Sequence, residues 1–379
     1  MSFRYASGIN KPGFNPLAAQ TSVTERTLAT WGLNTFGELG LNNTTNYSSP
    51  KQVGSLTNWL TTTAGQYTCL VIKTDGTLWT WGRGQSGQLG LGNTTSYSSP
   101  KQVGSLTNWA STSNGRFAVI ATKTDGTLWS WGNNAVGSLG LSNTTYYSSP
   151  KQVGALTTWL RVAMSGYGTS FAITTSGTLY SWGHNYYGEL GRGTSGGGTN
   201  TSSPVQVGAL TNWLNLACGR YFVLATKTDG TLWGWGRNNQ GQLGLGNITN
   251  YSSPKQIGSL TTWATVSGAA SYSLAITTAG TLYAWGSNDS GQLGLGNVTA
   301  YSSPKQVGSL TTWSKLGNGP TRNDYNISIK TDGTLWSWGS NSNGQLGLGN
   351  TTDYSSPKQV GSLTTWASIA CGNAANVAT

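Results

Sequence analysis

Short runs in which apolar and polar residues alternate recur along the whole chain. In one unit, Thr127-Leu128-Trp129-Ser130-Trp131 alternates with a period of two, which is typical of a β-strand. Phe117 to Lys123 predicts a second strand, and Asp125-Gly126 between them predicts a two-residue hairpin turn that needs positive φ. Tyr97 to Val103 contains a proline and predicts an edge strand, where a missing N–H is tolerated. A stretch of small residues begins at Trp109. With it, each unit is predicted to hold about four short strands.

This unit is repeated at a regular spacing. Ser-Ser-Pro occurs seven times, and a Trp-Gly pair stands at the same place in each of the seven units. The Trp-Gly pairs begin at Trp31, Trp81, Trp131, Trp182, Trp235, Trp285 and Trp338. Six steps from the first to the last give about 51 residues per repeat. A single small sheet cannot bury its faces alone, whereas seven sheets around an axis can. The pattern therefore predicts an all-β fold, a seven-bladed β-propeller, with an open stack of sheets as the alternative.

The two ends of the chain favour a closed ring. Val377-Ala378-Thr379 matches Ile120-Ala121-Thr122, just before a hairpin turn, and Thr27 to Trp31 matches Thr127 to Trp131, just after one. The first and last strands then complete one unit between them, and pairing them removes exposed sheet edges. We expect residues 1–23 to form a leader and residues 24–379 to form the propeller.

Composition narrows the class of protein. Only 8% of residues are charged, against about 25% in an average soluble domain. No stretch approaches the roughly 18 consecutive apolar residues of a membrane helix, so no membrane span is expected. The net charge of +11 comes from scattered Lys and Arg without a basic run, which argues against a specific nucleic-acid partner. The dispersed Cys69, Cys218 and Cys371 are interpreted as small buried thiols.

The titratable residues predict no catalytic centre. The chain has one histidine, His184, in a loop where four of the other repeats have Arg83, Asn133, Arg237 and Ser287. It is interpreted as a surface histidine. The acidic residues are scattered, whereas paired carboxylates or clustered oxygens are needed for glycoside hydrolysis or calcium binding. The sequence thus predicts a non-enzymatic protein with no catalytic residue, no cofactor and no metal site.

Six lysines share one position, directly after Ser-Ser-Pro, and Val205 takes this position in the fourth unit. A closed ring would place them on its rim, as candidate partner-binding residues that attract an anionic surface. The alternative, which we favour, is that lysine on an outer strand discourages sheet-to-sheet aggregation. The lysines are Lys51, Lys101, Lys151, Lys255, Lys305 and Lys358.

Differences between repeats supply the other candidate partner-binding residues, because insertions in a repeated scaffold lie in loops. One insertion covers residues 192–200 and a second covers residues 317–325. Aromatic residues with flexible polar neighbours suit contact with protein or sugar; tolerated surface insertions are the alternative. The candidates are Tyr186, Tyr187, Arg192, Arg322 and Tyr325.

The segment from Trp285 to Asn297 reads Trp-Gly-Ser-Asn-Asp-Ser-Gly-Gln-Leu-Gly-Leu-Gly-Asn. It resembles the RCC1 repeat family of seven-bladed propellers, and the resemblance covers about residues 24 to 379. The family includes a chromatin-bound nucleotide exchange factor, a plant ultraviolet receptor and bacterial enzyme inhibitors, so it implies the fold more strongly than a function. The family's histidine, three positions after the glycine that opens the inner strand, is absent from Gly65-Gln66-Tyr67-Thr68, Gly115-Arg116-Phe117-Ala118 and Gly219-Arg220-Tyr221-Phe222. The exchange factor's wedge and the receptor's Gly-Trp-Arg-His-Thr motif are not visible either.

The leader resembles short head segments that precede repeat domains in some phage-encoded proteins. Its candidate anchor residues are Phe3, Arg4, Tyr5 and Phe14. We therefore expect a structural and binding module of a phage virion, as a decoration, tail or host-contact protein. Its partners would be other protein subunits of a larger assembly, and a host-surface glycan or protein. The alternative is a soluble regulatory propeller that binds a partner protein such as a small GTPase on one face. An enzyme, such as a hydrolase, ranks last.

Overall fold

The computed structural model describes residues 26–317, 319 and 324–379. These residues form seven four-stranded antiparallel sheets. We number the sheets as blades 1 to 7 along the chain and the strands of each blade A to D from the axis outwards. The predicted seven-bladed propeller is confirmed.

Blade 1 combines both ends of the described chain, and blades 2 to 7 are each continuous. The strands are β1 (Ala29–Gly32) and β2 (Tyr47–Gln52) of blade 1; β3 (Trp59–Ala64), β4 (Thr68–Lys73), β5 (Leu78–Gly82) and β6 (Tyr97–Gln102) of blade 2; β7 (Trp109–Asn114), β8 (Ala118–Lys123), β9 (Leu128–Gly132) and β10 (Tyr147–Gln152) of blade 3; β11 (Trp159–Met164), β12 (Thr169–Thr174), β13 (Leu179–Gly183) and β14 (Thr201–Gln206) of blade 4; β15 (Trp213–Cys218), β16 (Phe222–Lys227), β17 (Leu232–Gly236) and β18 (Tyr251–Gln256) of blade 5; β19 (Trp263–Gly268), β20 (Tyr272–Thr277), β21 (Leu282–Gly286) and β22 (Tyr301–Gln306) of blade 6; β23 (Trp313–Leu316), β24 (Tyr325–Lys330), β25 (Leu335–Gly339) and β26 (Tyr354–Gln359) of blade 7; and β27 (Ile369–Cys371) and β28 (Ala375–Ala378) of blade 1.

The ring is closed in the way that the chain ends predict. In blade 1 the strand order is β2-β1-β28-β27, and Ala29 to Gly32 pair with Ala378 to Ala375. The predicted leader, residues 1–23, lies outside the described residues. The one helix among the described residues is a short 3-10 helix, Gly197–Thr199, in the insertion of blade 4. No helix in this part of the chain has the length and apolar character to cross a membrane.

The core lies between the blades. Seven buried clusters each join two consecutive blades; the one between blades 2 and 3 contains Leu70, Ile72 and Trp109. Both faces of strand C are consequently covered, and even Ser130 is fully buried, with its hydroxyl donating to the Leu139 carbonyl. Cys69, Cys218 and Cys371 are buried, which confirms their interpretation.

The tryptophans of the seven Trp-Gly pairs connect each blade to the preceding blade by a hydrogen bond. All seven are fully buried, and each indole N–H donates to a backbone carbonyl in the C–D loop of the preceding blade. For example, Trp131 Nε1 lies 3.0 Å from the Gln88 oxygen. The glycine of the same loop is required by this contact: Gly90 has φ +72°, and a Cβ there would lie 2.8 Å from Trp131 Nε1.

The B–C hairpin differs from the predicted two-residue turn. Gly76 has φ +76°, but Asp75 is not among the residues with positive φ. The N–H of Gly76 donates to Lys73 O and the N–H of Lys73 donates to Thr77 O, both at 3.0 Å. This is the three-residue hairpin in which a glycine forms a G1 bulge. The Asp-Gly pair therefore predicts the place of the turn correctly and its type wrongly.

Candidate functional site

The loops divide into two faces with different chemistry. The hairpin face carries the B–C hairpins and the D–A connections, which meet where Trp109 N donates to Gly76 O. The loop face carries the A–B and C–D loops, which meet where Arg83 N donates to Tyr67 O. On the hairpin face each D–A connection repeats one exposed leucine. These are Leu56, Leu106, Leu156, Leu210, Leu260, Leu310 and Leu363.

On the loop face, arginine and aromatic side chains form a continuous half-exposed surface across blades 1 to 5. We call this surface the arginine–aromatic ridge. It comprises Phe36, Tyr67, Arg83, Arg116, Phe117, Tyr167, Tyr187, Arg220, Tyr221 and Arg237.

Cation–π contacts join the ridge from blade to blade. The Arg83 guanidinium lies 4.9 Å from the Phe36 ring centroid and 5.5 Å from that of Phe117, which links blades 1, 2 and 3. Arg116 and Arg220 both contact Tyr167, at 5.8 and 4.7 Å. Each such contact contributes about 0.5–1 kcal/mol at an exposed site.

The far end of the ridge is a cluster of tyrosines in blades 4 and 5. The Tyr167 and Tyr221 rings stack with centroids 4.5 Å apart, and Tyr187 meets Tyr221 edge to face at 5.2 Å. Arg237 covers Tyr187 at 5.1 Å. Burial, followed by the neighbouring Tyr167, raises the pKa of Tyr221 to about 12. Its hydroxyl is therefore neutral near neutral pH.

The lone histidine lies beside this cluster. His184 is in a loop, as predicted, but its side chain is only 20% exposed. Its Nδ1 lies 3.0 Å from Oε1 of the buried Glu189, whose other oxygen accepts from the Tyr187 N–H at 2.8 Å. These contacts hold His184 against the tyrosine loop. The described residues contain no group of three or more His, Cys, Asp or Glu that could hold a metal ion.

The candidate partner-binding residues in and near the insertions have different outcomes. Tyr186 is 57% exposed and contacts Tyr187, which belongs to the ridge, so Tyr186 extends this surface. Arg192 is half-buried and donates to Thr201 Oγ1 at 2.9 Å, away from the ridge. The candidate Arg322 lies outside the described residues, as do the anchor candidates Phe3, Arg4, Tyr5 and Phe14.

Tyr325 is the one candidate that the structure contradicts. Its side chain is fully buried, and its hydroxyl donates to Asn376 Oδ1 at 2.9 Å, between blades 7 and 1. It is the first residue of strand B, where the chain already enters the core. The prediction that it contacts a partner is therefore wrong.

The six lysines after Ser-Ser-Pro lie on the outer D strands and are exposed. Each Nζ lies 5.4–5.6 Å from the ring centroid of the tyrosine four residues earlier. In blade 4 both members change together, to Thr201 and Val205. Their outer-strand position is compatible with edge protection and with an anion-attracting rim, so both interpretations stay predictions.

The sequence analysis missed Arg116, Tyr167 and Arg220, the centre of the ridge. Two signals were present in the sequence. The middle residue of the A–B loop differs between blades 2, 3, 5 and 6, where it is Gln66, Arg116, Arg220 and Ala270. The A–B loop of blade 4 is one residue longer than these four loops.

Comparison with known proteins identifies the family of this propeller. The model of the RCC1-like domain matches residues 113–378, and that of the regulator of chromosome condensation (RCC1) repeat matches residues 28–72 and 75–121. The chain belongs to the RCC1-like domain family. The RCC1 resemblance read from the Trp-Gly repeats is thus confirmed.

Individual relatives match only part of their length. Mouse protein RCC2 is 41% identical over 80 residues, which is 21% of this chain and 15% of RCC2. The mitochondrial RCC1 domain-containing protein RUG3 of Arabidopsis thaliana is 42% identical over 91 residues, or 23% of this chain and 20% of RUG3.

Solved structures match along nearly the whole chain. Yeast RCC1 (Prp20), in its complex with Kap60, has a TM-score of 0.83 at 19% identity and covers 100% of this chain and 94% of its own. Human WBSCR16 has a TM-score of 0.82 at 21% identity, with 94% and 98% covered. At these identities the likeness shows the fold.

Proposed function

We propose that this RCC1-like propeller is a non-catalytic binding module whose partner protein binds the loop face over the arginine–aromatic ridge. The ridge carries this proposal. Its residues occupy positions at which the blades differ, whereas the tryptophan and Ser-Ser-Pro framework repeats in every blade. Arg and Tyr are also the residue types enriched at the energetic centres of protein interfaces. Yeast Prp20 is described with Kap60, with Gsp1p and with histones, which makes a protein the class of partner that we propose.

Site-specific photo-crosslinking tests this assignment. A photoreactive amino acid at Tyr186 would report on the loop face, and the same group at Leu106 would report on the hairpin face; both residues are exposed, at 57% and 45%. In extract of the native source, the Tyr186 probe should capture a defined protein that the Leu106 probe does not. Equal capture from both faces, or capture only through Leu106, would reject the loop face as the binding surface.

A regulator of a small GTPase is the narrower form of this proposal, and the match to the RCC1 repeat favours it. Purified protein would be added to candidate GTPases loaded with a fluorescent nucleotide. Acceleration of nucleotide release that is lost on substitution of ridge residues would support exchange activity. Unchanged release would leave binding without exchange.

The virion role stays a prediction. It rests on the leader, whose anchor candidates are not among the described residues. Deleting residues 1–22 should abolish incorporation into the particle and leave the propeller folded, measured by mass spectrometry of purified particles and by circular dichroism. Normal incorporation of the truncated protein would reject the anchor.

A further inference from the structure

At the centre of the ridge, two guanidinium groups converge on one neutral oxygen. Arg220 Nη2 donates to the Tyr167 hydroxyl at 2.8 Å, and Arg116 Nη1 approaches the same hydroxyl at 3.5 Å. Both cations also lie over the Tyr167 ring, so their approach is fixed by stacking as well as by the hydrogen bonds. A single oxyanion placed beside this hydroxyl would be within reach of both arginines.

Backbone hydrogen bonds between neighbouring A–B loops fix the positions of the two arginines relative to each other. Arg116 N donates to Gly166 O at 3.3 Å, Gly166 N donates to Gly219 O at 3.4 Å, and Arg220 N donates to Ala269 O at 3.0 Å. These bonds link the A–B loops of four consecutive blades, 3 to 6, into an arc that we call the collar. Side chains that project from a fixed collar lose less freedom on binding than side chains on independent loops.

The charge of this pair is not neutralised by the described part of the chain. Neither Arg116 nor Arg220 has a carboxylate oxygen within 4 Å there, and the only ion pair in that part joins His184 to Glu189. The Nε atoms of Arg116 and Arg220 are buried and have no acceptor. Two like charges that share one neutral acceptor repel each other, and a bound anion would relieve that repulsion.

A cavity of about 260 Å³ occupies the axis, and a smaller one of about 170 Å³ opens directly beside Arg116 and Tyr167. The smaller cavity lies between blades 3 and 4. Its walls include the apolar side chains of Phe117, Val136 and Met164. It has the size for one aliphatic side chain next to the paired arginines.

We infer that Arg116 and Arg220 form a carboxylate-binding site for an acidic segment of the partner protein, with an adjacent apolar residue of that segment in the cavity between blades 3 and 4. This inference rests on the proposed function of the loop face. The planar fork of each arginine matches the two oxygens of an aspartate or glutamate carboxylate.

The ridge favours an acidic peptide over single-stranded nucleic acid. Binding of single strands depends on free aromatic faces on which bases stack. Here Tyr167 and Tyr221 stack on each other, and guanidinium groups cover Phe36, Phe117 and Tyr187. Arg116 and Arg220, in contrast, each direct one guanidinium nitrogen at Tyr167, and each guanidinium has further N–H donors of the kind that bind an oxyanion.

Fluorescence anisotropy with two labelled probes tests the inference. The first is a short synthetic peptide rich in glutamate with one leucine, and its control has glutamine in place of every glutamate. The second is an oligothymidylate of similar length, which carries phosphates instead of carboxylates. Each is titrated with the full-length protein and with R116Q/R220Q, R116K/R220K and K101Q/K151Q. The last variant removes the same charge from the outer strands, and thermal unfolding of every variant confirms the fold.

The glutamate peptide should bind with an affinity that falls as salt rises, and the glutamine peptide should not bind. R116Q/R220Q should weaken binding by about tenfold or more, R116K/R220K by less, and K101Q/K151Q by under about twofold. If R116Q/R220Q fails to fold, the lysine pair supplies the comparison, because it keeps the charge and loses the fork.

Equal binding by R116Q/R220Q, no binding of the glutamate peptide, or tighter binding of oligothymidylate would overturn the inference. These outcomes are separable from failure of the proposed function. Crosslinking from the loop face could still succeed with a partner that uses other residues of the ridge.

Discussion

At the scale of single residues, two loop glutamates with the same place in the repeat have different surroundings. Glu38 and Glu189 take the position that is glutamine in blades 2, 5, 6 and 7. Glu189 has His184 as its partner, but the residue equivalent to His184 in blade 1 is Leu33. One oxygen of Glu38 consequently has no hydrogen-bond partner. Burial raises the pKa of Glu38 from its ordinary value of 4.5 to about 7, even though two backbone N–H groups and Arg83 oppose the change.

Glu38 should therefore make stability depend on pH. Because the folded state holds this proton more tightly than the unfolded state, the free energy of unfolding should fall as pH rises from about 4.5 to about 7. The whole effect is on the order of 3 kcal/mol. Glu38→Gln should remove this slope, measured by urea unfolding across that range. Glu189→Gln is the matched variant, which removes the carboxylate beside His184 but should retain the slope. A slope that persists in Glu38→Gln would contradict the assignment.

Tyr325 and Arg116 show what could be predicted at this scale. The repeat register was enough to locate both residues at the junction of an A–B loop with strand B. Whether such a residue faces solvent or core depends on a shift of one or two positions, and the insertion before Tyr325 obscured that shift. The ridge was harder still to predict, because its contacts join residues about 50 positions apart, such as Arg116 with Tyr167.

At the scale of elements, the B–C hairpins carry a network of four contacting side chains. In blade 3, Asp125 Oδ1 accepts from the Thr127 hydroxyl at 2.6 Å, Thr127 Oγ1 accepts from the Trp129 indole at 2.8 Å, and Lys123 Nζ lies 3.6 Å from a Trp129 ring centroid. Blades 2, 5 and 7 repeat the set. In blades 4 and 6, the lysine, aspartate and tryptophan change together to Thr, Ser or Ala, and Tyr. The three positions therefore behave as a unit.

Introducing the lysine, aspartate and tryptophan of this network into blade 4 tests this coupling. Thr174→Lys alone should lower the free energy of unfolding by roughly 2 kcal/mol, because the ammonium group would be partly buried without its acidic and indole partners. Adding Ser176→Asp and Tyr180→Trp should restore stability to within about 1 kcal/mol of the parent. Urea unfolding of all combinations gives the coupling energy. Additive effects of the three substitutions would show that the positions are independent.

The sequence was informative about elements wherever a contact is local. Strand limits, hairpin positions and the four-strand unit follow from alternation and turn residues within about 50 positions. The type of the B–C turn did not follow, because Asp-Gly suits both a two-residue turn and a bulged three-residue turn. The flanking Lys73–Thr77 hydrogen bond selects the latter.

At the scale of the whole molecule, blade 1 holds the ring together. Its inner strands β27 and β28 come from one end of the described chain, and its outer strands β1 and β2 from the other. The pairing of β1 with β28 is the seam between the two ends. Trp31, Tyr325 and Ile369 pack in one cluster between blades 7 and 1, and Thr62 Oγ1 bonds Ser368 Oγ between blades 2 and 1 at 3.0 Å. Closure was predictable because the two partial units complement each other in sequence.

Removing residues 369–379 should open the ring. The deletion takes away β27 and β28, which leaves β1 with an exposed edge and Tyr325 without its acceptor Asn376. We expect a broad, less cooperative unfolding transition and faster hydrogen exchange in blades 7 and 2 than in blade 4, measured by mass spectrometry. Insertion of two glycines between Gly197 and Gly198 is the control, because a Cβ at either residue would meet nothing within 4 Å. Uniform exchange across the truncated ring would refute the special role of the seam.

The A–B loops of blades 2, 3, 5 and 6 have the same length, and the residue in the middle of each loop differs between them. In the proposed site, arginine takes this position in blades 3 and 5, on either side of the longer loop of blade 4. In blade 6 the residue equivalent to these arginines is Ala270. A few substitutions in these loops can thus change which blades of an RCC1-like ring carry the charged side chains, and with them the direction in which a partner is held. The tryptophan contacts between blades stay unchanged.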